Sequence, residues 1–161
     1  MSLMSKFLAA TFVFSLGITG AYAHGGETHA TGETAFGHPG SAREVSRTVK
    51  IEARDFEFNP AQLTFAKGET VKFVVVNASR HMHELTVGDA AEQEEHRRSM
   101  AQMSDMKHDE SEHDMPSNSV HVKPGETGEL IWSFTKAGTL EFACNYPGHA
   151  DLGMEGKITV Q

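Results

Sequence analysis

The sequence predicts an all-β fold, a β-sandwich, for most of this 161-residue chain. In the stretch 49–53, Val-Lys-Ile-Glu-Ala, apolar and charged residues alternate with the period of a half-buried strand. The β-branched run Val71 to Val76 is suited to a core strand. Turn signals such as Lys67-Gly68-Glu69 and Pro124-Gly125-Glu126 separate the runs. About seven or eight short strands spaced in this way are typical of a sandwich.

The first 23 residues predict a secretory signal peptide. Lys6 gives a positive start, Phe7 to Ile18 is an apolar run, and Ala21-Tyr22-Ala23 fits the small-x-small cleavage rule. The apolar run is too short to cross a bilayer. We therefore expect cleavage after Ala23, export to a periplasm and no stable membrane insertion afterwards. An uncleaved membrane anchor is the alternative.

The rest of the chain divides by composition into an arm and one domain. Residues 24–44 are rich in Gly, Thr, His and Ala and predict a flexible, histidine-containing arm. Residues 45–161 carry the strand pattern, which a charged, Met-rich insertion interrupts at 90–118. Within it, Ala90 to Met106 predicts a helix. Its i, i+4 and i+7 spacing would place three side chains on one face: His96, Met100 and Met103.

The formal net charge of the chain is −8 at pH 7. Nucleic acids and anionic membranes require a basic face on their partner, so both are excluded as partners. A basic protein partner remains compatible with this charge.

Cys144 is the single cysteine of the chain, and an exported protein would ordinarily pair its cysteines in disulfides. A buried inert thiol and an intermolecular disulfide are the ordinary explanations for an unpaired one. However, His149 and Met154 follow closely. A thiolate, an imidazole and a thioether together favour copper over zinc or calcium, and His83 offers a second imidazole upstream.

The spacing of these residues resembles a known family, the cupredoxins. The loop reads Cys144-x4-His149-x4-Met154 and precedes a final strand at 156–160, while His83 follows a strand that ends at Asn77. Plastocyanin and azurin, which are blue or type 1 copper proteins, share this order of ligands, although the Cys-to-His gap of plastocyanin is shorter than the one here. The resemblance implies a Greek-key β-sandwich, electron transfer, and one type 1 copper bound by four residues: His83, Cys144, His149 and Met154.

The segment around His83 leaves three details open. His83 is preferred over His81 because its distance from Asn77 fits the family and because a hydrophobic strand follows it. His81 is interpreted as a solvated loop residue, and Met82 as a packing residue rather than a soft ligand. Many cupredoxins have Asn after the first histidine, whereas this chain has Glu84. A carboxylate there could hold a ligand imidazole or add negative charge near the metal.

Further histidines and methionines suggest additional copper-binding sites outside the type 1 centre. After cleavage, the α-amine and imidazole of His24 could chelate Cu(II), with His29 and His38 nearby; incidental histidines in a polar arm are the alternative. The insertion is either a weak copper-collecting loop or a surface helix whose methionines pack on the sandwich. Its soft or borderline side chains are Met100, Met103, Met106, Met115, His96, His108 and His113.

The functional hypothesis is a periplasmic type 1 copper protein for electron transfer, copper tolerance or both. The surplus of His and Met favours copper tolerance, and a plain electron shuttle to a periplasmic reductase is the alternative. We expect the partner to be a redox protein or a copper-handling protein. We do not expect an enzyme. Copper nitrite reductases and multicopper oxidases need a further domain with His-Cys-His motifs, and this chain has neither. A binuclear copper centre needs two cysteines, and this chain has one.

Overall fold

The computed structural model describes residues 34–105 and 116–161. Ten strands in these ranges form two five-stranded sheets, so the predicted Greek-key β-sandwich is confirmed. The first sheet has the order β1 (Gly37–Pro39), β8 (Thr127–Phe134), β5 (Thr70–Asn77), β2 (Arg47–Arg54) and β3 (Glu57–Asn59). The second has the order β4 (Gln62–Phe65), β10 (Glu155–Val160), β9 (Gly138–Ala143), β6 (His83–Gly88) and β7 (Ser119–Val122).

The core lies between the two sheets and is rich in aromatic residues. Alternating residues of each strand point inward, as expected for a sandwich. The burial pattern of β5, for example, switches between buried and half-buried positions along most of its length. Ring pairs join the two sheets: Phe65 stacks on Phe134 at 4.9 Å between ring centroids, and Phe58 meets Phe142 at a tilt at 5.4 Å. This packing makes the sandwich a rigid support for the loops at its ends.

Strand β6 is buried along all six of its residues. One face packs into the core, and helix α1 (Ala90–Asp105) lies against β6 and β9 on the other side. The Gln93 side-chain amide donates to the carbonyl of Thr86 at 2.8 Å, which joins helix and strand. The insertion thus covers a strand that would otherwise expose one face.

Helix α1 confirms the helical prediction for the described part of the insertion. Asp89 caps it, since its Oδ1 accepts from the backbone N–H groups of Ala91 and Glu92 at 2.9 Å each. Met100 is buried, in agreement with packing on the sandwich. No helix in the described ranges is long and apolar enough to cross a membrane. The side chain of Met103 and residues 106–115, which hold the other candidate ligands, lie outside the described part.

Strand β1 lies within the stretch that the sequence predicts as a flexible arm. Gly37, His38 and Pro39 pair with β8, so these residues belong to the sheet. A Cβ at Gly37 would lie 2.6 Å from Trp132 Nε1, and the close approach of the two strands therefore requires glycine here. The alternating hydrophobic pattern that marks the other strands is missing from this Gly- and Pro-containing segment. Residues 1–33, with the predicted signal peptide, His24 and His29, lie outside the described ranges.

Candidate metal centre

Three of the four predicted ligands meet at one end of the sandwich. One donor atom from each of His83, Cys144 and His149 lies within 4.8 Å of the others, and among the described residues this is the group of His, Cys, Asp and Glu that could hold a metal ion. Cys144 Sγ is 3.8 Å from His83 Nδ1 and 3.3 Å from His149 Nδ1. Both imidazoles therefore turn the same ring nitrogen toward the thiol.

The fourth predicted ligand, Met154, is buried beside this group. Its backbone N–H donates to the carbonyl of His149, and its own carbonyl accepts from the N–H of Cys144, each at 3.1 Å. A short 3-10 helix, Ala150–Leu152, fills the loop, and Gly153 ends it in a left-handed conformation with φ of 98°. The loop thus returns Met154 to the side of Cys144 through local hydrogen bonds.

His83 is positioned by the turn between β5 and β6. The buried Asn77 side chain donates from Nδ2 to the carbonyls of His81 and Val122, at 2.8 and 2.9 Å, and fixes this turn. With Nδ1 facing the thiol, His83 Nε2 lies 2.7 Å from Ser79 Oγ, to which it can donate. An imidazole whose second nitrogen is held in this way has a set orientation and tautomer, as metal-binding histidines commonly do.

The environment keeps all three groups in their neutral forms when no metal is bound. Burial lowers the pKa of His83, and the nearby His149 lowers it further. Burial also lowers the pKa of His149, with a contribution from His81. Burial raises the pKa of the Cys144 thiol to about 12. Neutral imidazoles are ready to bind a metal, whereas the thiol must release its proton on binding.

His81 does not join the group, in agreement with its interpretation as a loop residue. It is exposed, and its Nδ1 lies 2.8 Å from Asp55 Oδ1. Its ring stacks on Phe56 at 5.6 Å between centroids, and the same phenyl ring contacts His149 edge-on at 4.8 Å. Phe56 and Asp55 come from a segment about thirty residues upstream of His83, and no local motif in the sequence marks them as neighbours of the site.

Glu84 is fully buried, and its carboxylate binds groups other than the imidazole of a proposed ligand. Its carboxylate accepts from His121 Nε2 at 2.7 Å, from His96 Nε2 at 3.2 Å and from the backbone N–H of Asn145 at 2.8 Å. Burial alone would raise the pKa of Glu84, but the hydrogen bonds from His121 and His96, together with that from Asn145, lower it to about 2. Glu84 is therefore an ionised carboxylate inside the protein.

Glu84 also joins the two segments that carry the predicted ligands. Its backbone N–H points at Cys144 Sγ at 3.5 Å, and its side chain holds the N–H of the residue after Cys144. In the resembled family an Asn in this position ties the ligand loops together. The longer, charged side chain of Glu84 makes the equivalent connection here. No sequence pattern predicted that His96 and His121 would bind to it.

The donor set of this centre fits copper. Two imidazoles beside one thiol match the His2Cys donor set of type 1 copper sites, and Met154, buried in the same loop, could supply the weak thioether ligand. Residues 45–161 match the model of the copper-binding proteins of the plastocyanin/azurin family. The chain belongs to this family. The match spans the whole of the domain predicted from the sequence and includes all four predicted ligands.

Curated relatives agree with this assignment. The chain is 41% identical over 140 residues to the copper-resistant cuproprotein CopI of Rubrivivax gelatinosus, across 86% of this chain and 81% of that protein. It is 37% identical over 180 residues to the copper-resistant cuproprotein CopI of Pseudomonas aeruginosa, across 97% of each.

Solved structures show the same fold at low sequence identity. Auracyanin B superposes with a TM-score of 0.61 at 20% identity, across 78% of this chain and 96% of that one. Auracyanin A of Chloroflexus aurantiacus, a blue copper protein, superposes with a TM-score of 0.58 at 24% identity, across 71% of this chain and 98% of that one. These likenesses show that the chain has the same β-sandwich fold as these proteins.

Proposed function

We propose that this cupredoxin binds one type 1 copper ion through four residues and serves copper tolerance in the periplasm. The proposed ligands are His83 Nδ1, Cys144 Sγ, His149 Nδ1 and the Met154 thioether. The observation that carries the proposal is the approach of two imidazole Nδ1 atoms to one buried thiol, within 4.8 Å. Copper bound there supplies one-electron chemistry between Cu(I) and Cu(II).

The protein residues keep the centre dry and hold its shape. His83, Cys144 and Met154 are fully buried, so solvent reaches the group from the side of His149. Ser79 and Phe56 restrain the two imidazoles, and Glu84 restrains the loop after Cys144. A donor set that cannot move far suits a metal that changes oxidation state with little rearrangement. His149, at the surface, is the expected exit for the electron.

The decisive experiment is the visible spectrum of the Cu(II)-loaded protein compared with Cys144→Ala. We expect an intense sulfur-to-copper charge-transfer band in the wild type and none in the variant, because the thiolate is its source. A matched control is His81→Ala, which removes a nearby imidazole outside the proposed ligand set. A wild-type spectrum without this band would contradict the proposed centre.

Copper tolerance is favoured over a plain electron shuttle by the two CopI relatives, which are named as copper-resistant cuproproteins. Both roles require a protein partner, either a redox protein or one that handles copper. Growth of a deletion strain under copper stress separates them. Loss of tolerance, restored by the wild-type gene but not by one encoding Cys144→Ala, is expected; unchanged tolerance would favour the shuttle. Neither role requires catalysis, and we expect no enzyme activity.

Export and a second copper site are further parts of the proposal. Cell fractionation and N-terminal sequencing of the mature protein test export and cleavage after Ala23. If His24 becomes the N-terminus, its amine and imidazole form a chelate for a type 2 copper. EPR of the copper-loaded mature protein would then contain a second signal that is lost when an alanine precedes His24. A single type 1 signal in both forms would contradict the second site.

A further inference from the structure

The inserted segment is connected to the proposed copper centre by hydrogen bonds to the fully buried Glu84. Helix α1 contributes His96, which is 11% exposed and donates to Glu84 at 3.2 Å. Strand β7, which follows the insertion, contributes His121, which donates to Glu84 at 2.7 Å. The two imidazoles thus converge on a carboxylate next to the proposed ligand His83.

Asn145, the residue after Cys144, is the point where these contacts meet. It is fully buried, and its backbone N–H donates to Glu84 Oε1 at 2.8 Å. Its side-chain Nδ2 donates to Gln93 Oε1 on helix α1 at 2.9 Å, while Gln93 also holds the carbonyl of Thr86 in β6. Helix α1 therefore holds Asn145 by two routes, one direct and one through Glu84.

Strand β7 adds a third connection to the same loop. His121 Nδ1 lies 3.4 Å from the hydroxyl of Tyr146, which can donate to it while His121 Nε2 donates to Glu84. Tyr146 in turn lies against His149, with 5.8 Å between ring centroids. Asn145 and Tyr146 are thus both hydrogen-bonded to residues outside the ligand loop.

We propose that helix α1 of the insertion, together with strand β7, positions Cys144 through a hydrogen-bond network centred on Glu84. The inference rests on the proposed type 1 site. Buried hydrogen bonds to a charged group are among the stronger ones in proteins, and breaking one leaves a buried group unpaired. A change in the helix should therefore alter the geometry and the electrostatics at the thiolate, even though it removes no metal ligand.

The test uses Cu(II)-loaded full-length protein and three variants. His96→Ala removes one donor to Glu84 from the helix. Glu84→Gln keeps an acceptor for the Asn145 N–H but removes the buried negative charge. Arg98→Ala is the matched control, because Arg98 lies on the same helix with a 63% exposed side chain and pairs only loosely with Glu94, at 3.8 Å. The readouts are the intensity ratio of the sulfur-to-copper bands, the midpoint potential and the thermal midpoint.

We expect His96→Ala to change the band ratio and Glu84→Gln to shift the midpoint potential upward, since loss of a negative charge favours the reduced, less positive ion. Arg98→Ala should match the wild type in both readouts. The inference is overturned if His96→Ala and Glu84→Gln lower only the thermal midpoint and keep the wild-type band ratio and potential. His96→Ala, which introduces the strongest helix former in the middle of α1, keeps the test decisive if Glu84→Gln does not fold. A wild type without the band would instead refute the proposed copper site.

Discussion

The ligand loop from Cys144 to Met154 and the strand β6 both supply proposed copper ligands, but they are held in different ways. Within the loop, the N–H of His149 donates to the carbonyl of Tyr146 at 3.0 Å, and that of Gly153 donates to Ala150 at 2.8 Å. Strand β6 instead depends on partners far away in sequence, such as His121 for Glu84. The second half of the loop is thus held locally and follows from its spacing, whereas the contacts of β6 and of Asn145 at the start of the loop form only in the folded chain.

The largest expected difference between the ligand loop and strand β6 is in their response to added imidazole. His83→Gly and His149→Gly should each lose the type 1 spectrum completely, because each removes a proposed ligand. His83 is fully buried beneath its neighbours, whereas His149 is partly exposed. Added imidazole should therefore restore the spectrum in His149→Gly and not in His83→Gly. A titration followed by visible absorption measures the recovery, and equal recovery in both variants would contradict the difference in access.

Glu84 should make the stability of the metal-free protein depend on pH, and this is the next largest effect that we expect. The pKa of Glu84 is lowered from 4.5 to about 2 in the folded state. A carboxyl with a lowered pKa stabilises the fold above its unfolded pKa and loses that contribution as pH falls through its folded pKa. The wild type should exceed Glu84→Gln in stability by on the order of 3 kcal/mol at pH 6.

Urea unfolding of both proteins between pH 6 and pH 2 measures this difference. The advantage of the wild type should shrink as pH falls from about 4.5 toward about 2. Glu126→Gln is the matched control, because it makes the same substitution at an exposed acid. An advantage that stays constant across this range would show that Glu84 does not stabilise the fold as an ionised group.

The strands, the inserted helix and the meeting of the proposed ligands follow from sequence patterns that are local or nearly so. Strand alternation marks β2 and β5. The Asn77 to His83 spacing, compared with the family, selects His83 over His81, and His83 is the histidine that lies near Cys144 and His149. Strand β1 was not predicted, because Gly37 to Pro39 lacks an apolar period and is held by its pairing with β8.

The contacts around Glu84 could not be predicted for a related reason. His96 and His121 lie 12 and 37 residues from Glu84 in sequence, and helical or strand periodicity shows only which face a side chain occupies. Which partner that face meets depends on how the helix docks on the sandwich. The sequence did show that Glu84 departs from the family pattern, and this was the available signal that the surroundings of the site differ.

A smaller effect is expected at the turn of the ligand loop. Gly148 has a φ of 83°, a conformation that side chains disfavour, and a Cβ there would meet nothing within 4 Å. Gly148→Ala should therefore cost only the backbone strain, roughly 1 kcal/mol. Chemical denaturation of the metal-free protein measures it. A loss several times larger would show that the contacts of Asn145 and Tyr146 outside the loop also depend on this turn.

The smallest effect is expected for His81→Ala. His81 is exposed and makes a surface ion pair with Asp55, a kind of interaction that is worth about 0–1 kcal/mol. The visible spectrum of the copper-loaded variant should match the wild type, and the loss of stability should stay within that range. A changed charge-transfer band would mean that the stacking of His81 on Phe56 restrains His149 as well.

The burial of Cys144 has a consequence for the life of the protein before it meets a metal. The thiolate, rather than the thiol, attacks disulfides and reacts with oxidants. With a pKa of about 12, the metal-free cysteine stays almost entirely protonated at neutral pH. The buried, protonated thiol of a newly folded chain is thus expected to react slowly with disulfides and oxidants. The thiol keeps its proton until a metal ion binds to the sulfur and displaces it.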